Sequence, residues 1–363
     1  MTEPETQAIL DDLVDEHLLH LTTAARYGMH DLVRRYLNQH HGSEPERHAA
    51  IERLLRHDLD RARHATLLIH PTETRRVPAT PAPWRTPAEA VAWAESEYDN
   101  LVSTVYLAAD APGASPALAT QLVAALSRPL ANRGHSADRI ALNQFGARLA
   151  HRNGDRRAEA QLLEDLGTLC AQVGHTADAI THSHRALAIW TELDDSQGRR
   201  GCLVDLGNSS RLQGDHDKAI DYLRQALTIS TGSNDRPGEA SVLNSLGLTY
   251  QTTGEFDTAT AYLIRSATIH HEIGNRLGEA IALANHGWAL QRSGRPAQAI
   301  RYHHRSLETF RDLRDHYNEA EQHWAIAQAE HALGDPAAAR HHWHIATASP
   351  PGTEERPNPR NTS

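Results

Sequence analysis

The chain has 363 residues, a formal net charge of −10 and a pI near 6.2, with 39% hydrophobic residues and a mean hydropathy of −0.57. No segment approaches the roughly 18 consecutive apolar residues of a membrane span, and the acidic N-terminus lacks the basic and apolar regions of a signal peptide. We therefore expect a cytoplasmic protein without a membrane partner. The negative balance also disfavours a nucleic-acid partner, because it offers no overall basic surface for phosphates.

The first predicted element is a short amphipathic helix over residues 5–21, where Ile9, Leu13 and Leu18 fall on one face. A loop and the start of a second helix follow in residues 22–37, "TTAARYGMHDLVRRYL". The adjacent pair His30 and Asp31 suggests acid–base chemistry. However, adjacent residues on a helix do not face each other, and no serine or cysteine nucleophile motif accompanies the pair. We predict a structural joint and no catalytic residues.

Residues 39–114 are predicted to form a helical arm. A long helical pattern runs from about residue 46 to residue 68, and another runs from residue 87 to residue 108. Between them lies "HPTETRRVPATPAPWRTP", whose prolines lack the backbone donors that a helix requires. The arm is therefore interpreted as two helices joined by a proline-rich loop.

From residue 155 onward, small residues recur at intervals of 40 without any slip in register. A constant interval of this kind is typical of repeat proteins in which each repeat packs only on its neighbours. The columns that fix the repeat are Gly174, Gly214, Gly254, Gly294 and Gly334; Gly167, Gly207, Gly247, Gly287 and Ala327; and Ala179, Ala219, Ala259, Ala299 and Ala339.

Each column has a structural reason. Short polar side chains stand where a first helix begins, and they can accept hydrogen bonds from the free N–H groups of the opening turn. Gly174 and its equivalents end that helix, because a positive φ is nearly free of strain only for glycine. Pro296 and Pro336 then fit the start of the second helix. The predicted N-caps are Asp155, Asp195, Asp235, Asn275 and Asp315.

This unit of helix, turn and helix resembles the tetratricopeptide repeat (TPR) across residues 155–348, which would hold five units. The period is 40 residues instead of about 34, and the six extra residues would lengthen the helices by about 9 Å in total. Residues 115–154 are interpreted as a degenerate capping repeat, and the polar, proline-rich residues 349–363 as a disordered tail. The predicted fold is an all-α TPR superhelix of five to six helical hairpins.

Residues 29–36, 93–97 and 100–102 resemble the arm of actinobacterial STAND-type regulators, in which an NTPase module precedes a winged helix, a helical arm and long TPRs. The resemblance implies that residues 1–38 are a winged-helix remnant and hinge helix. A P-loop needs Gly-x-x-x-x-Gly-Lys-Ser/Thr, and the lysine of this sequence, Lys218, lies in a repeat. We therefore expect no nucleotide cofactor. Association with a separate NTPase stays open, as does the choice between a truncated regulator and a free-standing adaptor.

The best candidate site is the concave face lined by the first helix of each repeat. Amide side chains there can bind the backbone of an extended peptide, and tryptophan is a preferred interface anchor. Two tryptophans from adjacent repeats either flank one pocket or pack between repeats. The predicted protein- or peptide-binding residues are Asn208, Arg211, Asn244, Gln251, Asn285, Trp288, Gln291, Trp324, Gln328 and His331.

Two rival interpretations come from other classes of protein. One is a DNA-binding regulator that acts through the winged-helix remnant. The other is a metal protein built on clustered histidines, although zinc requires several ligands that converge on one point, and a solvated or stacked face is the prediction we prefer. The sequence leaves the identity of the partner and the oligomeric state open. The histidines in question are His303, His304, His341, His342 and His344.

Overall fold

A computed structural model describes residues 3–16, 18–23, 26–29, 44–69, 84–110, 115–126 and 136–348. These ranges contain fifteen helices and one two-stranded sheet. Within them, no helix combines the length and the apolar character that crossing a bilayer demands. The pair His30 and Asp31, most of the predicted proline-rich loop and the predicted tail lie outside the described ranges.

The N-terminal unit is a helix followed by a β-hairpin. Helix α1 spans Glu3–Asp15, and strands β1 (Leu19–Thr23) and β2 (Arg26–Met29) pair antiparallel. The helix predicted over residues 5–21 was therefore too long. Leucines alternate with polar residues from Leu19 onward, a period of two that suits a strand, and pairing with β2 satisfies that backbone. The Tyr27 hydroxyl accepts a hydrogen bond of 2.6 Å from Gln7 Nε2 and ties the hairpin to the helix.

The arm consists of α2 (Glu44–Ile69) and α3 (Pro87–Asp110), in agreement with the two predicted helices. Both pack on α4 (Pro116–Leu126). Leu55 of α2, Leu101 of α3 and Leu122 of α4 are each at most 2% exposed and belong to one hydrophobic cluster that continues into the repeats. The arm is thus continuous with the core of the solenoid.

The repeats follow as alternating first and second helices. In most of them, two helices of 17 residues and two three-residue turns make up the 40-residue period. The extra length of this repeat lies in its helices, as the spacing predicts. The helices are α5 (Ser136–Arg152), α6 (Arg156–Gln172), α7 (Thr176–Glu192), α8 (Ser196–Leu212), α9 (His216–Gly232), α10 (Arg236–Thr253), α11 (Phe256–Glu272), α12 (Arg276–Arg292), α13 (Pro296–Asp312), α14 (His316–Ala332) and α15 (Pro336–Ala348).

The predicted helix ends are confirmed. All five predicted N-cap side chains accept a hydrogen bond from a backbone N–H of the opening turn, as Asp195 Oδ1 does from Gly198 N at 2.9 Å. Gly174 and its four equivalents have φ between +78° and +84°. A second column of left-handed residues, which the sequence did not reveal, ends the second helices. It contains Gly154, Asp194, Asn234, Gly274 and Arg314.

Small residues bring the two helices of each repeat together. A Cβ atom built on Gly207 would lie 2.6 Å from Cγ of Leu223 on the facing helix, so glycine is required there. Ala219 and its equivalent Ala259 are fully buried at the same interface. The hairpins therefore stack as closely packed, nearly identical units.

The first helices also contact one another along the array, from α4 through α6, α8, α10 and α12 to α14. No two second helices make contacts of that extent in the described part of the chain. The side on which helices approach each other more closely is the inner side of a curved stack. The first helices therefore line the inner face, where the predicted site lies.

Candidate partner-binding groove

We call groove face the set of first-helix residues that occupy the columns of Glu164, Asp165, Thr168 and Ala171, repeated every 40 residues. These columns lie on the side of each first helix that faces away from the buried leucines at Leu163 and Leu166. All ten predicted site residues fall in these four columns. The array therefore presents them along a single surface.

Amide side chains of neighbouring repeats join in pairs across the groove face. Asn285 Nδ2 donates to Asn244 Oδ1 at 3.0 Å, and Gln291 Nε2 donates to Gln328 Oε1 at 3.4 Å. A primary amide carries two N–H donors and one carbonyl acceptor. One hydrogen bond within a pair therefore leaves other donors and acceptors of the two amides unused by that pair. Asn285 is only 8% exposed, so the amides of these pairs that an extended backbone can reach are those of Asn244, Gln291 and Gln328, which are half-buried.

The two tryptophans lie in direct contact. Their ring centroids are 5.5 Å apart with the planes inclined at 48°, and Trp288 also meets His303 edge-on at 5.5 Å. Trp288 is only 8% exposed, whereas Trp324 is half-buried. Trp288 therefore packs between repeats, and Trp324 is the member of the pair whose ring a partner can reach.

The other predicted residues differ in their accessibility. Arg211 is half-buried, and burial lowers the pKa of its guanidinium. Its Nε has no hydrogen-bond partner among the described residues. Gln251 is buried, Asn208 is half-buried, and His331 is exposed near the end of the array. The structure does not join Asn208 or His331 to the amide pairs.

Sequence reasoning missed an acidic end of the groove face. Glu164 Oε2 accepts a hydrogen bond of 3.2 Å from Trp190 Nε1, and the Thr168 hydroxyl donates to Asp205 Oδ2 at 3.1 Å. Burial, together with the charge of Asp165, raises the pKa of Asp205 to about 7. The signal was present, because these residues occupy the same columns as the predicted amides one or more repeats later.

The clustered histidines form a stacked and hydrogen-bonded group. His323 Nδ1 and His342 Nδ1 lie 2.8 Å apart, and the rings of His304 and His342 meet edge-on at 5.9 Å. Burial lowers the pKa of His323 to about 4, with His342 and Arg311 adding to the effect. Within the described ranges, no group of three or more histidine, cysteine, aspartate or glutamate side chains is arranged to hold a metal ion.

Comparisons with known proteins identify tetratricopeptide repeats in the chain. A family profile described as "Tetratricopeptide repeat" matches residues 158–232 and 238–312. BtubC (BKLC) from P. vanneervenii is similar in structure with 20% identity and a TM-score of 0.53, covering 64% of this chain and 97% of that one. A comparison with curated protein sequences gave no match.

A second solved structure covers more of the chain. It is a Signal Transduction ATPase with Numerous Domains (STAND) protein with a tetratricopeptide repeat sensor from Pyrococcus horikoshii, at 13% identity and a TM-score of 0.54. The match covers 93% of this chain and 57% of the STAND protein. TPR arrays are typically protein-interaction scaffolds without catalytic activity. By its repeats, its helix packing and these likenesses, the chain is an all-α solenoid of tetratricopeptide repeats.

Proposed function

We propose that this chain is a non-enzymatic scaffold whose groove face binds an extended segment of another protein, as the sensor or regulatory part of a signalling or transcriptional regulator. The observation that carries the proposal is the order of groups along the groove face. Glu164, Asp165 and Asp205 supply acidic groups in the first two repeats, where the half-buried Arg211 also belongs to the groove face, and paired amides and the Trp324 ring follow toward the other end. A peptide that carries both a basic and an apolar residue fits these groups.

The physical basis is preorganisation. Repeat-to-repeat hydrogen bonds hold the amides of Asn244 and Asn285 before a partner arrives, so binding orders few side chains. Amides recognise a peptide backbone with little regard to its sequence, whereas an aromatic anchor and a charged end select particular side chains. Affinity and selectivity would thus come from different parts of the same surface.

A regulatory context is favoured by the N-terminal unit and by the STAND likeness. A helix followed by a two-stranded hairpin is what the end of a winged-helix domain would provide, and here it precedes a helical arm and TPRs. The solved STAND protein carries its repeats as a sensor. We propose the same role for this array, with a separate NTPase as one class of partner.

The test selects binding peptides from a random library displayed on phage, with the full chain immobilised. We expect selected peptides to pair a basic with an apolar residue, and Trp324→Ala/Gln328→Ala to weaken their binding on the order of tenfold or more. Trp343→Ala is the matched control, because Trp343 is 49% exposed on α15 and lies outside the groove face. Equal binding by the wild type and the double variant would refute the groove assignment.

A further inference from the structure

A cavity of about 790 Å³ opens between α5, α6 and α7, apart from the groove face. Its floor is apolar and includes Phe145, Leu163 and Leu166, and none of its lining residues belongs to the four groove columns. The volume falls in the range of about 300–1,000 Å³ that is usual for small-molecule sites. Its location makes it independent of the proposed peptide groove.

The cavity lies beside two side chains that are smaller than their equivalents in the next two repeats. Ala147 occupies the column of Leu187 and Leu227, and His182 occupies a column that holds tyrosine in the next three repeats. The tyrosines at Tyr222 and Tyr262 pack against the core of their own repeats. The corresponding space beside His182 stays open, and the buried Nδ1 of His182 has no hydrogen-bond partner in the described part of the chain.

The mouth of the cavity is positively charged. Arg148, Arg152 and Arg185 line it, and all three are exposed. None of them lies within 4.0 Å of a carboxylate in the ranges that the structure describes. An acidic chain thus concentrates unneutralised positive charge at one apolar cavity.

Comparison along the repeats shows that this charge is specific to the cavity. Arg265 and Arg305, two equivalents of Arg185, bind carboxylates of Glu239 and Glu279 at 2.5 and 3.2 Å. Their counterpart in the first repeat, Glu159, instead accepts from His151 and Arg156. Arg185 is left available to a ligand.

Arg152 likewise adds positive charge at the cavity, whereas its column holds acidic residues in most later repeats. Three of the next four equivalents are acidic, Glu192, Glu272 and Asp312, and each binds an arginine of the adjacent first helix. At the cavity that acidic position is an arginine. Guanidinium groups bind carboxylates with two parallel hydrogen bonds, so the rim is suited to an anionic head group.

We infer that this cavity binds a small amphipathic anion, an alkyl carboxylate whose chain occupies the floor of Phe145, Leu163 and Leu166 while its head group meets Arg148, Arg152 and Arg185. Removal of the alkyl chain from water favours binding, and the arginines select the negative charge. The site differs from the groove face in position and in ligand class.

Calorimetric titration of the full chain with sodium decanoate tests the inference. We expect saturable binding at one site, and much weaker binding of decyltrimethylammonium, which has the same alkyl chain and the opposite charge. Arg185→Gln should weaken decanoate binding on the order of tenfold, as expected for the loss of a charge-assisted hydrogen bond. The matched control is Arg265→Gln, at the equivalent position two repeats later, which should bind decanoate like the wild type.

A second variant fills the cavity with the residue that other repeats use. His182→Tyr should reduce decanoate binding at least about tenfold by occupying the floor, while circular dichroism shows an unchanged or higher melting temperature. Decanoate heats indistinguishable from dilution would overturn the inference, and so would equal affinity for the two amphiphiles or undiminished binding by folded His182→Tyr. Because these measurements do not involve the groove face, they test the cavity independently of the proposed peptide binding.

Discussion

At the scale of single residues, the last repeats place histidines in core positions where earlier repeats carry leucine or tyrosine. His303 is fully buried, and its Nδ1 lies 2.8 Å from Gln322 Oε1. His323 lies 2.9 Å from Arg311 and shares a short contact with His342. Burial lowers the pKa of the His286 imidazole to about 4, with the charge of Arg295 adding to it. These repeats exchange apolar packing for polar contacts.

His286 offers the clearest stability prediction. It is 2% exposed in a column that holds leucine in the three preceding repeats, and its Nδ1 has no hydrogen-bond partner among the described residues. We expect His286→Leu to raise the free energy of unfolding by about 1 kcal/mol or more, because a buried donor or acceptor without a partner is costly. Chemical denaturation at pH 7 measures the change.

The reverse substitution is the control. Leu246→His places an imidazole at the equivalent, fully buried position one repeat earlier, and it should lower stability. If both substitutions moved the denaturation midpoint in the same direction, the proposed cost of burying this imidazole would be wrong.

At the scale of the helices, the ends of the second helices are the variable part of the repeat. All five turns that lead from the first helix of a repeat to its second helix carry a glycine with positive φ. Among the turns that lead from a second helix to the next first helix, three carry a residue other than glycine, namely Asp194, Asn234 and Arg314, with φ of +50°, +53° and +55°. Aspartate and asparagine tolerate this region better than other side chains. Arginine does not, so the strained position is the turn between α13 and α14.

We predict that Arg314→Gly stabilises the chain by about 1 kcal/mol, which is the approximate cost of a left-handed residue with a Cβ atom. Arg314 is exposed, so the substitution removes no packing. Thermal unfolding followed by circular dichroism should show a higher midpoint. Gly274→Ala, in the same column at φ of +71°, should lower it, and a lower midpoint for Arg314→Gly would contradict the account.

The sequence predicts those features of the fold and the site that recur every 40 residues, and it does not predict those that depend on contacts between particular helices. The period and the caps were predictable because each cap is a local interaction that recurs every 40 residues. The groove columns were predictable for the same reason. The burial of Trp288 was not, because it depends on the ring of His303 on another helix and on Trp324 in the next repeat. The strand at Leu19 was also missed, because the helical pattern of the preceding residues was extended over it, although its leucines alternate with a period of two and it pairs with Arg26–Met29 in a local hairpin.

At the scale of the whole molecule, buried groups toward the two ends of the array have pKa values shifted in opposite directions, while burial also lowers the pKa of His182 in the first repeat. Asp205, in the second repeat, has a pKa raised to about 7, so the folded state takes up a proton before the unfolded state does. His286 and His323, in the last two repeats, have pKa values lowered to about 4 from 6.5. Between those pH values the unfolded chain binds more protons at these histidines, and acid therefore weakens the C-terminal end.

We predict that lowering the pH from 7 toward 4.5 opens the C-terminal repeats before the N-terminal ones. Hydrogen exchange measured by mass spectrometry, corrected for the intrinsic pH dependence, should show protection lost first in α12 to α15. His286→Leu should flatten this dependence, because it removes one of the titrating groups. Uniform loss of protection along the array would count against the prediction.

The stacking of each helix on its neighbours in sequence also bears on how the chain is made. Nearly all contacts between elements join helices that are one or two positions apart along the chain. Such local topology favours rapid folding, and a solenoid can nucleate at any of its units. A nascent chain that has exposed α6 to α9 outside the ribosome already holds complete neighbouring hairpins. Assembly can therefore proceed during translation, one unit at a time.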